Sequence, residues 1–312
     1  MVKKKTFTKK QLEKLSAAEI IDKIIYENYS LLTTLGAEKM RKEMVPVGKI
    51  CHLAISAFLK NGPEKAPKNI VRILRKVSPA KYSKDLFPTD SKKGIVIGFN
   101  HPSLGEIPSI VLAKTDLLGN RPMLFPVNLP WYESIARDFD RLKSMGIIIT
   151  PTITPSTWKK MGLKEGDKLF EVATRLKKDF RNIYTELSQS VVKDGGIIFV
   201  APSATRQATV FKNKDVYDKK EDIIPTMSVL ALKLYSDPKM DCSFLPISVL
   251  PPKDYKRGLN LFKSYTLKSS EEFTAAEIHK KYYKEKSPKR LDNFDYDFHT
   301  RIASKLPKSF WY

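Results

Sequence analysis

Short, almost wholly apolar segments recur after residue 93 and constrain the fold more than any other feature of this sequence. They are rich in Val, Ile and Phe and cover 94–99, 123–127, 146–150, 196–201 and 244–250. Segments of this type are typical of strands that are buried on both faces of a sheet. Helical patterns separate them, over 107–117, 131–145, 168–192 and 225–234. Because strand and helix alternate, we expect an α/β fold with a mostly parallel or mixed sheet flanked by helices.

The beginning of the chain lacks this strand pattern, and we expect no strand before residue 93. Apolar residues there recur every three or four positions, which indicates amphipathic helices. Helices are predicted over 8–32, over 37–59 with an interruption near Pro46, and over 69–77. The sequence therefore predicts two domains, a basic helical bundle over residues 1–85 and an α/β catalytic domain over residues 86–312.

Charge is concentrated in the same N-terminal part. The chain carries 56 Lys and Arg against 34 Asp and Glu, a net charge of +22. Residues 1–93 alone account for +12 of it, with 21 basic and 9 acidic side chains. Such an excess fits an anionic partner, which can be nucleic acid, an anionic membrane surface or an acidic carrier protein.

Cysteine usage and hydropathy indicate the cellular compartment in which the protein is expected. Cys51 and Cys242 lack C-x-x-C spacing, so we expect two buried thiols in a reducing environment. The longest stretch without a charged residue, 144–158, is too short for a membrane span and contains two prolines. The lysine-rich start does not resemble a signal peptide. We expect a cytoplasmic or plastid-stroma-like protein that is soluble or peripheral to a membrane.

The loop after the first apolar segment carries a candidate acid–base pair. It reads Asn-His-Pro-Ser-Leu-Gly-Glu, with His101 at the end of the predicted strand and Glu106 in the first turn of the next helix. In α/β sheets, ligands bind outside the carboxyl ends of strands. A carboxylate that pairs with one imidazole nitrogen fixes the tautomer and leaves the other nitrogen as a general base toward a hydroxyl. The alternative is a strand-end histidine beside a glutamate that the helix dipole favours.

A second loop, after 196–200, carries a candidate phosphate site. It reads Ala-Pro-Ser-Ala-Thr-Arg and contains Ser203, Thr205 and Arg206. A guanidinium at the end of a buried strand suits two-pronged binding of a phosphate. An ordinary surface arginine is the alternative.

Together, the two loops resemble the conserved blocks of the glycerolipid acyltransferases. NHPSLGE resembles the N-H-x-S-x-x-D block, whose His and acidic residue form the catalytic pair. FVAPSATR resembles the phosphate-binding block and is closest to the A-P-S-G-G-R form of the soluble, plastid-type glycerol-3-phosphate acyltransferases. FLPISVL, over 244–250, is similar to a later strand of that type, which also has a helical domain ahead of an α/β domain. The resemblance covers residues 90–255.

This resemblance implies an O-acyltransferase that moves a fatty acyl chain from a thioester to a hydroxyl of glycerol 3-phosphate, or of lysophosphatidate as the alternative. The donor would be acyl carrier protein or coenzyme A, and no metal, nicotinamide or nucleotide cofactor is needed. The implied site residues are the catalytic His101 and Glu106 and the phosphate ligands Ser203, Thr205, Arg206, Lys159 and Lys160. The two lysines are the nearest match to a basic pair of the plastid type.

The sequence departs from the family pattern at three positions, and two other functions remain open. Glu106 occupies the position of the usual Asp, Ala208 that of a second Arg, and Lys159-Lys160 that of a Lys-His pair. The glutamate leaves open an inactive, lipid-binding relative, and the net charge leaves open a nucleic-acid-binding protein. His52 is expected to be a packed or half-exposed residue of a helix, and His279 and His299 lie in predicted charged helices near the C-terminus. A zinc site is not expected at any of them.

Overall fold

In the computed structural model, the chain folds into two compact units that interleave along the sequence. One unit consists of residues 1–63 and 125–187, and the other of residues 64–124 and 188–312. This division differs from the single boundary expected after residue 85. The structure describes residues 4–88, 93–102, 106–202, 210, 226–237, 240–253, 262–283 and 288–311.

The described elements alternate as expected after residue 93. The helices are α1 (Lys9–Lys14), α2 (Ala17–Tyr26), α3 (Leu31–Thr34), α4 (Glu38–Phe58), α5 (Ala66–Val77), α6 (Glu106–Leu118), α7 (Leu129–Ile135), α8 (Phe139–Ser144), α9 (Pro155–Met161), α10 (Lys168–Lys193), α11 (Thr226–Leu234), α12 (Ala275–Ile278) and α13 (Pro288–Ser304). The strands are β1 (Lys5–Thr6), β2 (Tyr29–Ser30), β3 (Ala80–Lys81), β4 (Gly94–Phe99), β5 (Met123–Asn128), β6 (Ile147–Thr152), β7 (Ile197–Val200), β8 (Cys242–Leu250) and β9 (Tyr265–Ser269).

A seven-stranded sheet carries the α/β part of the fold, in the order β3-β9-β8-β4-β7-β5-β6. β4 pairs in parallel with both β7 and β8, and β5 pairs in parallel with β7. β8 and β9 are antiparallel, so the sheet is mixed. All six residues of β4 are buried, in agreement with a strand covered on both faces. The predicted fold class is confirmed.

The N-terminal helices differ from the predicted ones because capping side chains outweigh the apolar periodicity. The single helix expected over 8–32 is wrong. Thr8 and Gln11 cap α1 reciprocally, and Ser16 and Glu19 cap α2 in the same way, so the chain turns between the two helices. The interruption expected near Pro46 is also wrong, since α4 continues through this exposed proline.

Several short elements are not predicted by the sequence pattern. β1 and β2 form a parallel two-stranded sheet, and β3 joins the large sheet, although no strand was expected before residue 93. Each has only two residues, which is too short to show an alternating pattern. The helix expected over 131–145 is divided between α7 and α8 by a 3₁₀ turn over Ala136–Asp138.

Helices α11 and α13 pack together on one face of β4. The backbone of Gly98 lies so close to Phe298 of α13 that an added Cβ would be 2.3 Å from the ring. Asp295 of α13 caps the start of α11 by accepting hydrogen bonds from the backbone amides of Met227 (2.8 Å) and Ser228 (3.1 Å). These contacts fix the strand that leads into the first motif.

Candidate active site

The two motif loops leave neighbouring strands at the same edge of the sheet. β4 and β7 are parallel, with Gly98 opposite Val200, and each strand ends within one or two residues of that pair. The connection that leaves β4 crosses β7 and leads to β5. The connection that leaves β7 crosses β4 in the opposite direction and leads to β8. Connections that run in opposite directions create a crevice at the carboxyl ends of the strands, where α/β proteins bind ligands.

His101 and Glu106 form a hydrogen-bonded pair at this edge. The Nδ1 atom of His101 bonds with the Oε1 atom of Glu106. Glu106 is the first residue of α6 and is 0% exposed, whereas the His101 side chain is 15% exposed. The pairing predicted from the five-residue spacing is therefore present, even though Glu106 is one methylene longer than the Asp of the family block.

The pair leaves one imidazole nitrogen available for chemistry. An ionised carboxylate only accepts hydrogen bonds, so Nδ1 of His101 carries the proton and Nε2 carries the lone pair in the neutral ring. Within the described part of the chain, Nε2 has no hydrogen-bond partner. A buried carboxylate also stabilises the imidazolium that forms when Nε2 takes a proton.

Asn100 anchors the loop beside the histidine and was not recognised from the sequence. Its side-chain amide donates to the carbonyl of Val249 (2.9 Å), and its oxygen accepts from the amide of the same residue (2.7 Å). The buried amide thus continues the pairing between β4 and β8 for one residue beyond the end of β4. The only available signal was its place directly before His101 in the motif.

A buried hydroxyl pair supports the first turn of α6. Ser109, one turn after Glu106, lies 3.0 Å from Ser78 between their Oγ atoms, and both side chains are fully buried. Ser78 follows α5 directly, so this contact joins the end of α5 to the helix that carries the carboxylate. The ring of Phe99 meets His101 edge-on, with 6.2 Å between centroids.

The expected phosphate ligands are only partly described. Ser203, Thr205 and Arg206, together with Ala208, lie outside the described residues. Lys159 and Lys160 are exposed in the last turn of α9, which belongs to the first unit, whereas His101 and Glu106 belong to the second.

The first unit contains another histidine–carboxylate pair. Nδ1 of His52 lies 2.9 and 3.0 Å from the two carboxylate oxygens of Asp138, which is almost fully buried. Arg141 also donates to Asp138, at 2.7 Å, and to Ser56, at 2.9 Å. The His52 side chain is 39% exposed, as expected for a half-exposed helical residue, but its partner is 86 residues away and could not be predicted. This network joins α4 to the turn before α8.

The other described groups of metal-binding or nucleophilic type are packed to different degrees. His299 is buried, and burial lowers its pKa to about 4, although its hydrogen bond with the Asp295 carbonyl raises it slightly. Cys242 is buried, which raises the pKa of its thiol to about 12, whereas Cys51 is only half-buried, contrary to expectation. Among the described residues, no group of His, Cys, Asp and Glu could hold a metal ion.

Comparisons with known proteins add no family. No protein-family model matches the chain, and no curated protein matches it. In the described ranges, no helix combines the length and the apolarity that crossing a membrane requires.

Proposed function

We propose that this protein is an O-acyltransferase that moves a fatty acyl chain from a thioester to a hydroxyl of glycerol 3-phosphate. The observation that carries the proposal is the His101–Glu106 pair at the carboxyl end of β4, with a fully buried carboxylate behind a partly exposed imidazole. This is the arrangement that a general base toward an alcohol requires. The acyl donor is acyl carrier protein or coenzyme A.

In the proposed reaction, Nε2 of His101 removes the proton of the acceptor hydroxyl while its oxygen attacks the thioester carbonyl carbon. The tetrahedral intermediate collapses with cleavage of the carbon–sulfur bond, and the imidazolium returns its proton to the leaving thiolate. The products are an acylated glycerol phosphate and a free thiol. Glu106 keeps Nδ1 protonated and stabilises the imidazolium, so each turnover leaves the pair unchanged.

Arg206, Ser203 and Thr205 are proposed to hold the acceptor phosphate. They follow β7, and β7 pairs directly with β4 in register up to Gly98 and Val200. In α/β folds, ligands bind at the carboxyl ends of adjacent parallel strands, and both loops begin there.

The decisive variant is His101→Asn, because an asparagine amide can still donate to Glu106 but cannot accept a proton as a base. It also keeps a hydrogen-bond donor beside the buried Glu106 carboxylate, since removing one partner of a buried pair costs about 3–5 kcal/mol of stability. We expect turnover of glycerol 3-phosphate with either thioester donor to fall by about 10²–10⁴-fold, the usual contribution of general-base catalysis. The measurement is the rate of thiol release together with the formation of acylated product.

His52→Asn is the matched control, because it changes the other histidine that pairs with a buried carboxylate. It should leave turnover within about twofold of the wild type, since the proton-transfer step does not involve it. A folded His101→Asn protein with wild-type rates would refute the mechanism. Absence of acyl transfer by the wild-type protein to glycerol 3-phosphate and to lysophosphatidate would instead indicate an inactive relative.

A further inference from the structure

The outer face of α4 exposes aliphatic side chains that are flanked by lysines. Ile50 is 52% exposed and Leu53 is 69% exposed, and Pro46 is exposed on the same side. Spacings of four and three residues place these side chains on one face of the helix. Exposed apolar side chains that adjoin one another are candidates for an interaction surface, whereas single ones are normal on any protein.

The inner face of α4 fixes this orientation. Gly48 lies against α7 so closely that an added Cβ would be 2.4 Å from the carbonyl oxygen of Ser134. Ile55 is buried, and His52 pairs with Asp138 on the inner side. Because the helix is held on both sides of Ile50 and Leu53, it cannot rotate to bury them within its own unit.

Lysines flank the aliphatic side chains, and the acidic residues of α4, Glu38 and Glu43, lie in its first two turns. No Asp or Glu occurs from Met44 to Pro63. The flanking lysines are all exposed, including Lys42, whose side chain is 62% exposed although it pairs with Glu38. We define the α4 outer face as Lys42, Glu43, Pro46, Lys49, Ile50 and Leu53 of the helix, together with Lys60 just after it.

We infer that the α4 outer face docks onto an anionic phospholipid bilayer, with α4 parallel to the surface. Ile50 and Leu53 would enter the boundary between headgroups and acyl chains, and the lysines would contact lipid phosphates. Charge complementarity and side-chain type favour a bilayer over an acidic protein. Protein interfaces are depleted in lysine, and their dominant residues are aromatic or arginine, whereas this face offers aliphatic residues and lysine. Long lysine stems also extend along apolar surface while the ammonium group stays in water.

The test is sedimentation with vesicles of phosphatidylglycerol mixed with phosphatidylcholine and, separately, with vesicles of phosphatidylcholine alone. It measures binding without turnover, so it is independent of the proposed acyltransferase activity. The variants of the face are Ile50→Gln with Leu53→Gln, and Lys49→Glu with Lys60→Glu. The matched controls are Val229→Gln with Leu232→Gln on α11, an exposed pair with the same spacing, and Lys9→Glu with Lys10→Glu on α1, an equal change of charge.

The wild-type protein should bind the mixed vesicles much more tightly than the neutral ones. The aliphatic variant should weaken binding by about tenfold, because two side chains no longer leave water. The lysine variant should weaken it by about 25-fold or more, since each basic residue near an anionic surface contributes about fivefold. Binding should also decline in 1 M salt, where the Debye length is about 3 Å.

Both controls should bind as the wild type does. If the α1 control loses as much vesicle binding as the lysine variant of α4, binding depends on overall charge and the inference is overturned. Vesicle binding that neither α4 variant weakens would overturn it as well. A different result would be that the wild-type protein does not sediment with vesicles but binds acyl carrier protein, and that the α4 variants abolish this binding. The face would then be a protein interface, and the bilayer would be excluded. Circular dichroism melts of all variants establish that these exposed substitutions leave the fold intact.

Discussion

Glu106 is a fully buried carboxylate whose described ion-pair partner is the imidazole of His101. Glu106→Gln should lower acyl transfer by about 10²-fold or more, because a neutral amide cannot stabilise the imidazolium. The amide can also donate to Nδ1, which favours the tautomer with the proton on Nε2, where the base needs its lone pair. Thiol-release kinetics over a range of pH measure this effect. Glu106→Asp restores the residue usual in the resembled family and should keep much of the activity. A Gln variant as active as the wild type would reduce the pair to a coincidence of spacing.

The histidine pairs show how far a single sequence can predict a site. His101 and Glu106 are five residues apart on either side of a strand-to-helix turn, so local geometry alone brings them together. His52 and Asp138 meet only after α4 and α7 have packed, and no local pattern indicates that contact. Asn100 was missed for the same reason, since it bonds with Val249, 149 residues away.

At the level of the strand and its covering helices, Gly98 is required by packing and not by backbone conformation. An added Cβ would lie 2.3 Å from Cε1 and 2.6 Å from Cζ of Phe298, a buried ring on α13. Gly98→Ala should therefore lower the free energy of unfolding by about 1–3 kcal/mol through overpacking, measured by urea denaturation. In that background, Phe298→Leu should recover part of the loss. Additive effects of the two substitutions would exclude the contact as the cause.

The predictability of an element depends on where its stabilisation comes from. Buried strands such as β4 and β7 were predicted because their apolar composition is itself the cause of their burial. The break between α1 and α2 was missed although both capping boxes are visible in the sequence, since apolar periodicity continues across it. β9 is held by long-range pairing with β3 and β8, which its five residues do not reveal.

At the scale of the molecule, the sequence predicted the layer architecture but not the grouping of segments. Residues 1–63 pack with residues 125–187, so each compact unit is assembled from two separate stretches of chain. Composition changes near residue 93 and suggests a sequential boundary, whereas the grouping depends on contacts such as those of α4 with α7. The net charge of +22 is a property of the whole chain, and its repulsion grows as acidic groups gain protons.

Acidification should therefore destabilise the protein by two separable routes. His299 stays neutral in the folded state, where burial lowers its pKa to about 4, but gains a proton in the unfolded chain below about 6.5. Between these values the unfolded state binds more protons, so the free energy of unfolding falls as pH falls, by about 2 kcal/mol from pH 7 to 5. Salt screens the repulsion between exposed charges but not the burial of His299. The His299→Asn variant keeps an amide that can donate to the Asp295 carbonyl. In this variant, the part of the pH dependence of the free energy of unfolding that persists at high salt should be lost, as measured by urea denaturation. An unchanged pH dependence in this variant would show that His299 is not responsible.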